Sequence, residues 1–188
     1  MDVNFEALLV GSNKAKNYVE SNIAILDQEV LNWKENDKKW SVLEILSHLN
    51  QVCELYFPKF EKVLSQAKPL PEGKFLSKQN TILGQLSIYS MLPKNRKRRF
   101  KMTTFNFFEP VSSPEFTEKT ISKYLENKER LNQFINQARF LDLSRLKIST
   151  ALGDKVRFYI PECFEFLLAH EERHMIQLEE VLIQQHSA

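Results

Sequence analysis

Three of the chain's four histidines stand where folding could bring their rings together. His170 and His174 bound the string His170-Glu171-Glu172-Arg173-His174, inside a strongly periodic stretch. One helical turn takes about 3.6 residues, so a four-residue spacing puts both imidazoles on one face. His48 lies far upstream on a second helical stretch, flanked on its apolar face by Ile45 and Val52. A lone histidine on such a face is by default a hydrogen-bonded core residue. A pair on one turn, with a third on another helix, shifts the balance toward a ligand set. Three imidazoles with an open position suit zinc, nickel, iron, manganese or copper. His186, near the last residues, is expected to be exposed and uninvolved.

Two other metal chemistries share these residues. The string from His170 to His174 satisfies H-E-x-x-H, in which Glu171 would be the general base of a metalloprotease. The extended form of that pattern wants glycine at 177 and histidine at 180, where this chain has Gln177 and Glu180. A di-iron carboxylate site needs two E-x-x-H motifs and two further glutamates. Glu171 and His174 supply one motif, but Ile45 stands three positions before His48, so the second is missing. Consecutive helical residues point about 100° apart, so Glu171 is expected to face solvent or to support the ligands from behind. Gln177, one turn beyond His174, is a candidate to orient it, or to bond across to another helix.

Cys53 and Cys163 both fall in apolar helical stretches and read as packed thiols. Cys163 shares a face with His170 but sits two turns away, about 10.5 Å along the axis, too far to share one metal. The one strong charge run, Lys94-Asn95-Arg96-Lys97-Arg98-Arg99-Phe100-Lys101, is read first as a solvated loop. An anion clamp comes second and nucleic-acid binding third, since no basic face or stacking motif accompanies it.

The elements that must carry these residues are helical. Residues 3–33 read as one long amphipathic helix, with an interruption expected near Gly11-Ser12. Ser41, with Glu44 three positions on, forms a capping box that opens a second helix, which Pro58 is expected to kink or end. Residues 67–112 are punctuated by prolines and are expected to cross the bundle and form part of a pocket wall, with a short helix over Thr81 to Leu92. A third long helix starts near Ser113-Pro114-Glu115, and Lys128 is the polar exception on its inner face. Residues around Gly153-Asp154 suit a small hairpin or an extended loop. The last helix runs from about Pro161 to Gln185. Four long helices with one long crossover between the second and third predict an all-α four-helix bundle, whose interior can build a metal site.

Bulk properties agree with one soluble domain over residues 1–188. Apolar residues make up 43% and charged residues 27% of the chain, ordinary values for a globular protein. Net charge is +2, too small to argue for nucleic acid or an anionic membrane. No leader and no membrane span is visible, so a cytoplasmic protein acting on a small molecule is expected.

Trp40-Ser41-Val42-Leu43-Glu44-Ile45-Leu46-Ser47-His48-Leu49 resembles the second-helix motif of the DinB/YfiT-like superfamily, roughly W-S-x-x-E-x-x-x-H-L. His170-x-x-x-His174-x-x-Gln177 resembles the last-helix motif of the same family. The resemblance spans nearly the whole chain and is least distinct over residues 67–112. It implies an up-down-down-up four-helix bundle and a divalent metal held by His48, His170 and His174. It also implies a thiol-dependent S-transferase, using bacillithiol, mycothiol or glutathione, or a thiol-dependent isomerase; the metal chemistry itself adds a hydrolase working through metal-bound hydroxide. A homodimer is expected from the same resemblance. The contrasting expectation is a non-catalytic metal-binding or stress-related binding module that keeps the bundle.

Overall fold

The computed structural model describes residues 2–95, 97, 98, 100, 109, 110 and 118–187. Among these the chain is mostly helical, with one small antiparallel sheet. Helix α1 (Phe5–Tyr18) passes into a π-helical turn (Val19–Ile23), and a short α2 follows (Gln28–Asn32). Then come α3 (Val42–Gln66), α4 (Ile82–Met91), α5 (Glu118–Ala138), β1 (Lys147–Thr150), β2 (Gly153–Tyr159) and α6 (Ile160–His186). Helices α1 and α3 each pack against both α5 and α6, and α4 lies along α6.

The single helix expected over residues 3–33 is two helices. Gly11 and Ser12 do not interrupt it; both are inside α1. The break falls at Ala24 to Asp27, where Asp27 turns extended (ψ 153°). Asn22 has already turned its side-chain amide back on the Tyr18 carbonyl at 3.0 Å, the local competition that makes such residues poor helix formers. The apolar phase resets across the break, so Leu31 is fully buried while Val30 is only half-buried.

Helix α3 starts as its capping box requires. Ser41 Oγ accepts from the Glu44 N–H at 3.2 Å, and Glu44 Oε2 accepts from the Ser41 N–H at 2.8 Å. Lys34 Nζ donates to Glu44 Oε1 at 3.0 Å, tying the preceding connector to the same cap. Pro58 does not end the helix, which continues to Gln66. It lies on the exposed face, as does Glu54, whose carbonyl loses its partner there and can be solvated instead.

Two apolar cores fill the interior. Phe60 centres the larger one, with the rings of Phe164 and Phe134 at 4.8 and 5.7 Å. The smaller gathers Ile23, Leu31, Ile45, Leu46, Tyr124 and Leu178. Along α6, His170 and His174 fall between Leu167 of the larger core and Leu178 of the smaller, and His48 stands near the same boundary on α3, beside Leu49 of the smaller core. The expected short helix is α4, capped by Thr81, whose Oγ1 accepts from the Gly84 N–H at 2.9 Å. Glu162, at the start of α6, accepts from the Thr81 N–H at 2.7 Å, and a Cβ at position 84 would collide with that carboxylate. The residues around Gly153-Asp154 form a hairpin, which delivers the chain into α6. The expected start of the third long helix at Ser113-Pro114-Glu115 lies outside the described residues; the helix is described from Glu118.

Candidate metal centre

Helix α3 supplies His48 and α6 supplies His170 and His174. His170 Nε2 is 3.3 Å from His48 Nε2 and 3.1 Å from His174 Nε2. His48 and His174 are buried at 3% and 6% exposure, and His170 is partly buried. The ring of Trp40 stacks on His174 and tilts against His48, while Phe166 stacks on His170. All three histidines named from spacing are therefore brought to one point, and together they could hold a metal ion.

The donor set fits such an ion. Burial, reinforced by His48 and Arg173, depresses His170 from 6.5 to about 3. Burial, then His170, His48 and Arg173, hold His174 well below its ordinary value. Both rings are thus neutral near pH 7. His174 Nδ1 lies 3.1 Å from Gln177 Oε1, so Nδ1–H donates and the Nε2 lone pair points at the other rings. His170 Nε2 faces nitrogens on both sides and has one proton at most, whereas a shared cation would accept a lone pair from each of the three rings. Nitrogens about 2.0–2.1 Å from a tetrahedral metal lie roughly 3.3 Å apart. The observed spacings of 3.3 and 3.1 Å lie at and just below what a shared cation would need.

Glu171 corrects the reading of the string between the two histidines. It faces neither solvent nor the imidazole nitrogens. It is buried at 7% exposure, accepting from Tyr124 Oη at 2.7 Å and from Lys128 Nζ at 2.5 Å. Its carboxylate does not line the cavity in front of the histidines, so it is not placed to activate a nucleophile as H-E-x-x-H requires. Lys128, the polar exception on the inner face of α5, is the other half of this buried pair.

The thiols are not poised for chemistry. Burial pushes Cys53 up to about 12 and raises Cys163 further from the thiolate range. Cys163 is enclosed in the larger core, as its apolar surroundings in the sequence indicate. His186 is exposed.

A cavity of about 920 Å³ opens in front of the histidines. Trp33, Trp40, Val52, Met91 and Phe166 give it apolar walls. Residues 67–112 do contribute a wall: Met91, Lys97, Arg98, Phe100 and Glu109 line it among the described residues. The basic run therefore borders the cavity, with Lys94 and Lys97 closing a tight turn through Asn95 at φ 52°. Two contributors escape sequence reasoning, the hairpin tip at Ala151 and Leu152 and the polar connector at Lys38 and Lys39. A third, Arg173, was open to it. It stands three residues after His170, a spacing that shares the face of the histidines.

No curated protein and no solved structure matches the chain. The family model described as the DinB superfamily matches residues 14–178, a span that holds all three histidines. The chain belongs to the DinB superfamily.

Proposed function

We propose that this chain is a divalent-metal-dependent enzyme acting on a small molecule, with His48, His170 and His174 as its ligands. The observation that carries the reading is the convergence of three imidazole nitrogens on the wall of a 920 Å³ cavity. The reaction is thiol-dependent group transfer, with hydrolysis as the related alternative using water in place of the thiol. A bound divalent metal supplies the Lewis acidity that makes a thiol or water nucleophilic near neutral pH. The chain's own residues do the rest. Gln177 holds His174 in the tautomer that presents Nε2. Trp40 and Phe166 fix the ring planes and keep bulk water from the ligand nitrogens. The apolar walls receive the electrophile, and its leaving group departs toward the charged mouth. The packing of α1 and α3 on α5 and α6 supports the up-down-down-up bundle as the scaffold of this site.

The test is turnover of 1-chloro-2,4-dinitrobenzene with glutathione, bacillithiol or mycothiol, beside hydrolysis of 4-nitrophenyl acetate. Zinc-, nickel- or manganese-loaded protein is expected to accelerate one of the two, and chelation or His48→Ala to return it to the uncatalysed rate. Turnover unaffected by chelator would overturn the assignment.

A further inference from the structure

Arg173 is 6% exposed and lines the histidine cavity. Its Nη2 donates to the Phe100 carbonyl at 2.5 Å. Its Nη1 is buried and, among the described residues, has no hydrogen-bond partner. A buried guanidinium with an unsatisfied donor is costly, and native proteins retain one where something outside the chain completes it. Glu180, the acid whose charge acts on Arg173, is engaged elsewhere. Glu180 Oε2 accepts from Arg98 Nη2 at 2.5 Å, and Arg98 itself adds to the positive potential at Arg173. Five basic and three acidic side chains line the cavity among the described residues, so its field favours an anion.

From these contacts we infer that the cavity holds an oxyanion subsite, with Arg173 as the main donor and Arg98 beside it, for a ligand with an apolar body and a terminal carboxylate or phosphate. A guanidinium offers a planar fork that matches either group. Arg173 stands three residues from His170 and next to His174 on α6, so the anion anchors a ligand in the cavity that the histidines face. The aromatic walls, Trp33, Trp40 and Phe166, receive the body of that ligand. The inference deepens the proposed function by naming its substrate class, and it rests on this cavity being the substrate pocket. It does not require the metal itself.

The experiment follows tryptophan fluorescence of the full chain titrated with phenylacetate, its neutral amide phenylacetamide, and phenyl phosphate. It is run first on chelator-treated protein and then on zinc-loaded protein. The subsite predicts saturable binding of at least one acid, at least ten-fold tighter than the amide, already without metal. Arg173→Gln should weaken the acid at least ten-fold and leave the amide unchanged, and Arg98→Gln should weaken it about three-fold. A preference for phenyl phosphate or for phenylacetate says which oxyanion is meant. If thermal unfolding shows that Arg173→Gln does not fold, Arg98→Gln on the half-exposed neighbour decides. Equal binding of acid and amide, no binding of either acid, or variants that bind like the parent would overturn the subsite. Acid-selective binding in a protein that takes up no metal would uphold the subsite and sink only the metal reading.

Discussion

One turn of α6 buries two opposite charges in two different ways. Glu171 faces α5, where both carboxylate oxygens accept, one from Tyr124 and one from Lys128. Arg173 faces the cavity, where one nitrogen is bonded and the other has no partner among the described residues. The histidines divide the same way, since His174 Nδ1 is satisfied by Gln177 while its Nε2, among the described residues, meets the His170 Nε2. A buried polar group whose partners are all in the chain is part of the fold. One left incomplete on a cavity wall is part of a site.

The sharpest way to break this contrast is on the satisfied side. Lys128→Met leaves Glu171 buried without its cation, and the loss is expected to be about 3–5 kcal/mol of unfolding free energy. Adding Glu171→Leu should recover much of it, because the penalty belongs to the unpaired charge rather than to the lost pair. Urea unfolding of the single and double variants measures both, and a double variant as unstable as the single would contradict the purely structural role.

On the incomplete side the expected effects fall on ligands more than on folding. Gln177→Ala frees the His174 ring, and metal affinity should drop roughly 10–100-fold while the unfolding midpoint of metal-free protein moves little. Competition with a chromophoric chelator reads the affinity.

Proton linkage gives an effect whose size is set by pH. His170 is held at about 3 in the fold against 6.5 ordinarily, so between these values the unfolded chain binds the extra proton. Stability of metal-free protein is therefore full above about pH 6.5 and falls as pH drops toward 3, by up to about 1.4 kcal/mol per pH unit. His174, shifted the same way, steepens the fall. Unfolding midpoints across that range check this, and a flat profile would mean the imidazoles are not desolvated.

The smallest effect concerns the scaffold. Ser41→Ala removes the side-chain half of the cap that sets the start of α3, seven residues before His48, at a cost of about 1 kcal/mol. Metal affinity should be nearly unchanged, since Trp40 and the core still hold the helix.

Local chemistry made the satisfied frame legible in the sequence. The capping box at Ser41 and Glu44, the short helix after Thr81, the hairpin and the helix carrying His170 and His174 are all written in neighbouring residues. The histidine trio was legible because four-residue spacing survives any packing of the helix. What escaped depends on contacts distant in sequence. Whether α1 continues past Ala24 is decided by which of Val30 and Leu31 meets the core. The direction of Glu171 is decided by Tyr124 and Lys128, more than forty positions upstream. Pro58 fails to stop α3 because the carbonyl it orphans lies on the exposed side, a fact of packing rather than of propensity. Arg173 was visible by spacing, but its unsatisfied nitrogen is a property of the folded cavity alone.

The central claim is tested most directly by metal content. Protein purified without an affinity tag, as obtained and after incubation with zinc, nickel and manganese, would be measured by plasma mass spectrometry beside His48→Ala and His174→Ala. The account predicts about one divalent metal per chain in the parent and none retained in either variant. A parent that binds no metal, or variants that keep it, would contradict the three-histidine centre.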